Sequence, residues 1–256
     1  MFHPRLFEGK NIVVTGAGRG IGLEVARQFL DCGGHVLVHV GRRIADDLPD
    51  FLMEAQAERR AFLVAADFLD AQGVGDFVSA VQDRFDVVHV LVNNAGTMVG
   101  RFPSDELTDT QYETVVRLNQ TSVVEVTRAM IPMIKTVSDG AIVNTVSISA
   151  LTGGSPGSGI YSGTKAFVSA YSKSLAKELA PFGIRVNCVS PGTIATDFHE
   201  RYSSQEKLEA TRKSIPLQRL GTPEDCAPAY LFLAAESLSG YITGQVIEIN
   251  GGQLIC

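Results

Sequence analysis

The sequence predicts an α/β fold: a doubly wound parallel sheet of about seven strands with helices on both faces. Three observations carry this expectation. Short runs rich in Val, Ile and Leu recur, each followed by a turn and a stretch of helical periodicity, the rhythm of βαβ units. The runs are nearly continuous in apolar residues, as in parallel strands covered on both sides. No repeat, low-complexity tract or Pro/Ser-rich linker interrupts the series, so the 256 residues read as one domain.

Taken in order, strand 11–15 (NIVVT) runs into a glycine-rich turn and a helix over 21–32. Strand 35–40 (HVLVHV) precedes a helix over 45–56, strand 61–65 a helix over 71–84, and strand 87–92 the helices 109–117 and 121–136. Strand 141–146 (AIVNTV) leads to the longest helix, 161–180. Strand 184–189 (IRVNCV) is followed by an excursion, 193–221, with an amphiphilic stretch at 204–213. A helix over 223–235 and strand 245–249 close the series. Right-handed crossovers put helices on both faces. Ligands in such sheets bind beyond the carboxyl ends of the strands, so chemistry is expected in the turns that follow them. The excursion 193–221 follows a strand end, and long inserted loops are often functional; it reads as a substrate lid.

Composition narrows the function. Twenty-two Lys and Arg against 28 Asp and Glu give a net charge of −6, which argues against a nucleic-acid surface. The cysteines at 32, 188, 226 and 256 form no CxxC pair and the five histidines are scattered, so no metal site is expected. A reduced, cytoplasmic compartment follows from the same cysteine usage. No apolar run approaches the ~18 residues of a membrane span, and the opening MFHPRLFEGK lacks the apolar core of a signal peptide.

The turn after the first strand reads Thr15-Gly16-Ala17-Gly18-Arg19-Gly20-Ile21-Gly22. The GxGxxG spelling of dinucleotide sites matches in no register; the spacing is GxxxGxG through Gly16, Gly20 and Gly22. The glycines still serve distinct purposes, with a tight turn at Gly16, close approach of backbone to a pyrophosphate at Gly20, and helix–strand packing at Gly22. The N–H groups that open the helix at Ile21 can hold phosphate. The second strand ends Val40-Gly41-Arg42-Arg43, with no acid before Asp46. A carboxylate there would bind the ribose hydroxyls of NAD; Arg19, Arg42 and Arg43 suit the 2′-phosphate of NADP. NADP is therefore favoured, with NAD as the alternative. Asp67, after the third strand, is placed with Phe68 at the adenine, accepting from its amino group, or else caps a helix.

Tyr161-Ser162-Gly163-Thr164-Lys165 opens a helix. The i to i+4 spacing sets Tyr161 and Lys165 on one face. A free phenol titrates near ~10. A neighbouring ammonium lowers that value, which makes the pair a proton donor and acceptor for a carbonyl or alcohol. A half-buried Tyr beside an exposed Lys is the ordinary alternative for this spacing. Ser147 ends the fifth strand, where it can donate to the same substrate oxygen. Asn93-Asn94-Ala95-Gly96 ends the fourth, Asn119 opens the helix after 109–117, and Pro191-Gly192-Thr193-Ile194 ends the sixth.

Together, TGAGRGIG at 15–22, NNAG at 93–96, Asn119, Ser147, YSGTK at 161–165, PGTIAT at 191–196, IPLQRLGTPED at 215–225 and YITGQVIEINGG at 241–252 resemble the short-chain dehydrogenase/reductase family. The resemblance covers nearly the whole chain and is nearest to the 3-oxoacyl-acyl-carrier-protein reductase-like members. It implies a single-domain Rossmann fold and an NAD(P)-dependent oxidoreductase that interconverts a carbonyl and a secondary alcohol. It implies a tetrad: Tyr161 as acid/base, Lys165 holding the nicotinamide ribose and lowering the Tyr161 pKa, Ser147 orienting the substrate carbonyl, and Asn119 positioning a relay water through Lys165. It places Asn93, Ala95 and Gly96 on the adenosine and ribose side, and Pro191, Gly192 and Ile194 beside the nicotinamide. It also implies a homotetramer built on helices 121–136 and 161–180 and the last strand. Val123, Val124, Val126, Phe167, Val168 and Tyr171 on those helices exceed what one face needs against a sheet.

Two features depart from the family pattern. The usual serine pair after the fifth strand reads Val146-Ser147, with a second hydroxyl at Ser149. Ser147 also stands 14 positions before Tyr161, a slightly long interval that leaves Ser149 a share in the role. On the lid, Asp197, His199, Glu200, Arg201 and Tyr202 suit hydroxyl groups, while Arg101, Arg128 and Lys135 are sparse for an acyl-carrier-protein patch. A small polar ketone, sugar or polyol is the expected substrate. A 3-oxoacyl-acyl-carrier-protein is the alternative, and a catalytically inactive nucleotide-binding regulator the remote one.

Overall fold

The computed structural model describes residues 2–255. Strands β1 (Asn11–Val14), β2 (His35–His39), β3 (Ala61–Val64), β4 (Val90–Asn93), β5 (Ala141–Thr145), β6 (Arg185–Pro191) and β7 (Val246–Ile249) form one sheet in the order β3-β2-β1-β4-β5-β6-β7. Every pairing is parallel, as the apolar runs predict. The order reverses between β1 and β4, which opens a crevice beyond their carboxyl ends.

The helices are α1 (Gly20–Asp31), α2 (Asp50–Ala57), α3 (Gly73–Arg84), α4 (Asp109–Val116), α5 (Ser122–Ile134), α6 (Ser149–Thr152), α7 (Gly159–Leu179), α8 (Asp197–Tyr202), α9 (Gln205–Ser214), α10 (Pro223–Ala234) and α11 (Glu236–Ser239). Alternation along each strand sorts side chains between two cores. Ile12, Val14, Val36, Val38, Val90 and Val92 enter one, where Phe29 of α1, Leu52 of α2 and Tyr230 of α10 cover them. Val13, Leu37 and Leu91 enter the other, under Phe77 of α3, Met130 of α5 and Leu175 of α7. Each such side chain contributes about 1.5–3 kcal/mol on burial. The central strands β4, β5 and β6 are buried throughout, whereas the edge strand β7 is half-buried.

Several boundaries differ from expectation for local reasons. The helix expected over 45–56 begins only at Asp50, because Pro49 has no N–H and disfavours helical backbone before it. The strand expected from 87 begins at Val90; the Val87 carbonyl is instead taken by the Asn11 side chain (2.9 Å). The helices expected over 109–117 and 121–136 are one run, since a π-helical turn, Arg117–Thr121, joins α4 to α5. Such turns cluster at functional positions, and this one carries Asn119. The excursion 193–221 holds α8 as well as the foreseen α9, whose N-cap Ser204 accepts from the Lys207 N–H (3.2 Å).

Of the surplus apolar residues on α5 and α7, Val123, Val126 and Val168 are buried within the protomer. Val124, Phe167 and Tyr171 remain accessible, the last two stacked at 5.8 Å. Among the described residues no helix is long and apolar enough to cross a membrane. No group of three or more His, Cys, Asp or Glu among them can hold a metal. Cys32, Cys188 and Cys226 are free and buried.

Candidate active site

The turn after β1 depends on its glycines. Gly16 and Gly20 have φ of +63° and +56°, a region that favours glycine. A Cβ on Gly16 would lie 2.6 Å from the Ala95 Cα, and one on Gly22 would lie 2.4 Å from the Gly16 carbonyl oxygen. The turn, α1 and the end of β4 can therefore close on one another. The N-cap Arg19 makes no side-chain cap bond, and the first turn of α1 holds no acid. The first N–H groups of α1, from Gly20 and Ile21 onward, are thus left for an anion, and the helix dipole favours one. A dinucleotide pyrophosphate fits that position.

Three residues that sequence reasoning missed hold this turn in place. Asn94 donates from its side chain to the Thr15 and Gly16 carbonyls (3.1 and 2.9 Å). The Asn94 and Ala95 N–H groups donate to Thr15 Oγ1 (both 3.0 Å). The Gly16 N–H donates to His39 Nδ1 (3.1 Å), and His39 Nε2 meets the Ala66 carbonyl (2.8 Å). Burial lowers the His39 pKa, which keeps the ring neutral and able to accept. The available signal was a polar residue, His39 or Asn94, at the carboxyl end of an otherwise apolar run.

Asn93, expected on the adenosine side, instead turns its side chain into the protein. There it donates to Thr127 Oγ1 (2.9 Å) and Asn144 Oδ1 (2.8 Å), tying β4 to α5 and β5. Phe68 is also internal, stacked on His39 at 4.1 Å, and its carbonyl accepts from Arg117 Nε (3.1 Å), so its side chain does not face an adenine. Ile194 is buried, with Cδ1 packed where a Cβ on Gly221 would be 2.5 Å away; it too offers backbone alone. Pro191 ends β6, and the Gly192 N–H donates to the Ile249 carbonyl (2.9 Å). Each expected arginine is met by an acid: Arg19 by Asp197 (3.2 Å), Arg42 by Asp67 (2.8 Å) and Arg43 by Asp46 (3.9 Å). Asp67 also accepts from the Leu69 N–H (3.1 Å) and caps no helix. The Arg19 and Arg43 pairs are exposed on both sides, and such pairs are worth only ~0–1 kcal/mol, so they exchange readily for phosphate; in the Arg42 pair only the arginine is exposed.

Across the crevice, α7 presents Tyr161 and Lys165 one turn apart. Lys165 is only 3% exposed, which removes the ordinary alternative of an exposed lysine. Its Nζ donates to the Thr145 carbonyl (2.9 Å) at the end of β5. Burial depresses the Lys165 pKa to about 8. The phenol does not show the expected lowering by Lys165. Burial pushes Tyr161 up to about 12, and the facing Ser147 hydroxyl pulls the other way. The ammonium nitrogen lies 5.9 Å from the ring centroid, and its own charge is weakened by the same burial. Ser147 Oγ accepts from the Ser149 N–H (3.2 Å) and from the Ser149 hydroxyl (3.0 Å).

Asn119 is fully buried on the π-helical turn. Its amide nitrogen donates to the carbonyls of Thr97 and Val115 (2.8 and 2.9 Å), and its Oδ1 has no partner among the described residues. A Cβ on Gly96 would lie 2.6 Å from Asn119 Oδ1 and 3.3 Å from Lys165 Nζ, which puts those two atoms within about 6 Å of each other. Glycine at 96 leaves room for both atoms at that point. From the excursion, the Phe198 ring lies 5.9 Å from that of Tyr161 and 5.2 Å from that of Tyr202. The Tyr202 hydroxyl bonds Thr97 Oγ1 (3.0 Å), and its carbonyl accepts from Arg101 Nε (3.0 Å). The side chains of His199 and Glu200 lie outside the described residues.

A phosphate-ready helix start, a buried lysine beside a phenol and an unpartnered carboxamide oxygen therefore line one crevice. A family model described as Enoyl-(Acyl carrier protein) reductase matches residues 16–253. A 3-oxoacyl-[acyl-carrier-protein] reductase of Chlamydia muridarum is 38% identical, over 96% of this chain and 98% of its own. An uncharacterised short-chain type dehydrogenase/reductase of Sinorhizobium fredii is 36% identical over 98% of this chain and 99% of its own. Among solved structures, an NADH-dependent reductase responsible for alginate metabolism, in its complex with NAD, superposes with a TM-score of 0.86 at 32% identity. It covers 98% of both chains. The chain belongs to the short-chain dehydrogenase/reductase family and is an NAD(P)-dependent oxidoreductase with a Rossmann fold.

Proposed function

We propose that the enzyme interconverts a carbonyl and a secondary alcohol, with Tyr161 exchanging the oxygen-bound proton. The observation that carries this reading is the convergence of Tyr161, Ser147, Lys165 and Asn119 at the carboxyl ends of β4 and β5. Bound NAD(P) supplies or takes up the hydride at the substrate carbon. The chain does the rest. With its pKa near 12, the Tyr161 phenol stays protonated at neutral pH and gives its proton to the carbonyl oxygen as charge develops there. The Ser147 hydroxyl steadies the same oxygen. Lys165 spends one N–H on Thr145 and has others for the ribose hydroxyls. Asn119 Oδ1, lacking a partner, accepts from a relay water.

The glycine turn, Ala95, Gly96 and the backbone of Pro191–Ile194 hold the cofactor in this reading. NADP is the better fit, since no carboxylate ends β2 and Arg19 and Arg42 flank the turn. Titration with NADPH and NADH is expected to show tighter NADPH binding that Arg42→Ala abolishes; equal binding by the unaltered protein refutes the preference. Residues 193–221 act as the lid, with Phe198 over Tyr161. The substrate is a small polar ketone, sugar or polyol. A second reading, a 3-oxoacyl-acyl-carrier-protein, has one observation in its favour. Arg101 and Lys207 are close enough for Arg101 to depress the Lys207 pKa further, after burial. Neither has an acidic partner among the described residues, so together they make a cationic rim for an anionic carrier. Turnover of acetoacetyl thioester against a ketose and polyol panel decides between the two. We place the protein in the cytoplasm as a homotetramer; the accessible Phe167, Tyr171 and edge strand β7 favour self-association, and light scattering tests the number of copies.

A further inference from the structure

We propose that Ser149 is a positioning residue that forces the Ser147 hydroxyl to act as a hydrogen-bond donor. The inference rests on the tetrad reading above and assigns a role that the tetrad leaves out. A serine hydroxyl has one proton to give and two lone pairs with which to accept. Both acceptor places on Ser147 Oγ are filled by one residue: the Ser149 N–H at 3.2 Å and the Ser149 hydroxyl at 3.0 Å. The only valence left to Ser147 is its own proton, and what it faces is the Tyr161 phenol and the substrate place beside it.

The lock is built into the fold. Ser149 is buried and opens the single turn α6. Its hydroxyl makes no hydrogen bond other than the one to Ser147 among the described residues, so it has no competing acceptor. The intervening Ile148 N–H is tied to the Pro191 carbonyl at the end of β6 (3.2 Å), which fixes the turn between the two serines. At the far side of α6, the Gly153 N–H closes on the Ser149 carbonyl (2.9 Å).

The consequence is directional. Ser149 gives to Ser147, and Ser147 gives outward to the substrate oxygen, each bond polarising the next. A donating Ser147 cannot take the Tyr161 proton, so that proton is reserved for the substrate. In the reverse direction the same donor stabilises the phenolate.

The test uses the full chain with its cofactor. Ser149→Ala keeps the backbone donor but frees one lone pair of Ser147. The expected result is a fall in kcat of about tenfold, with KM and cofactor Kd unchanged. The ionisation seen in the pH profile of alcohol oxidation should also move upward. Ser149→Thr, which keeps the hydroxyl, should restore both. In a Ser147→Ala background, adding Ser149→Ala should cost nothing more. A Ser149→Ala enzyme with unaltered kcat and pH profile overturns the proposal, as does an equal loss in the Ser147→Ala background. If Ser149→Ala does not fold, Ser149→Cys, a weaker donor of similar size, should lower kcat in the same direction; wild-type kcat in that variant overturns the proposal. Full activity in Ser147→Ala alone would instead sink the tetrad reading.

Discussion

Replacing Lys165 with methionine separates the electrostatics of the site from its chemistry. Burial takes the ammonium from its ordinary 10.5 to about 8, because one carbonyl partner at 2.9 Å is a poor substitute for water. Between about pH 8 and 10.5 the unfolded chain therefore carries a proton on Lys165 that the folded chain has released. Stability rises with pH wherever the unfolded state binds more protons, so Lys165 adds stability as pH climbs through that window. At about 1.4 kcal/mol for each decade of proton affinity, the gain is about 3 kcal/mol. Below pH 8 the whole cost of the buried charge is present. Lys165→Met removes it at every pH, and the carbonyl it leaves unpaired costs the same throughout. Urea denaturation of both proteins without cofactor, from about pH 7 to 10.5, reads the difference directly. The wild type should gain on the variant by about 3 kcal/mol across the range. A difference that stays flat refutes a buried, depressed Lys165.

Two further substitutions test other parts of the site. Gly96→Ala places a Cβ 2.6 Å from Asn119 Oδ1 and 3.3 Å from Lys165 Nζ. Overpacking of that kind costs about 1–3 kcal/mol, and shifting a catalytic group by about 1 Å costs about 10²-fold in rate. Steady-state kinetics should show kcat down about a hundredfold with a lower Tm, and unchanged kcat contradicts the geometry. Asn93→Ala breaks two buried hydrogen bonds (2.9 and 2.8 Å) and should lose about 1–3 kcal/mol in urea denaturation. Its Kd for cofactor should stay the same, whereas a weakened Kd would restore Asn93 to the adenosine side.

The fold was legible because parallel strands buried on both faces advertise themselves as apolar runs, as β4, β5 and β6 do, while the half-buried edge strand β7 showed only as a short β-branched run. The helix limits were less so. Pro49 trimmed α2, and a π-helical turn fused α4 to α5, because a π insertion shifts the helical phase without leaving a turn residue. The glycines of the phosphate turn and the Tyr161–Lys165 spacing were readable, since each reflects a local backbone or side-chain demand. What failed was side-chain direction. Asn93 and Asn94 are neighbours of one type, and only the pleat decides that Asn94 takes the crevice. Phe68 and Ile194 likewise lie next to the site and turn away from it. The acids that meet Arg19 and Arg42 come from Asp197 and Asp67, remote in sequence. The phenol pKa was not readable from the Tyr161–Lys165 spacing, because it is raised by burial against only the Ser147 hydroxyl, and burial is a property of packing and not of spacing.

The central claim is that Tyr161 moves the proton while other groups bind the cofactor, and Tyr161→Phe tests it most directly. The substitution removes the hydroxyl facing Ser147 and keeps the ring that packs beside Phe198 at 5.9 Å. Cofactor Kd and carbonyl reduction should be measured on the same preparation. The expected result is an unaltered Kd with turnover abolished. Turnover at the wild-type rate would contradict the account.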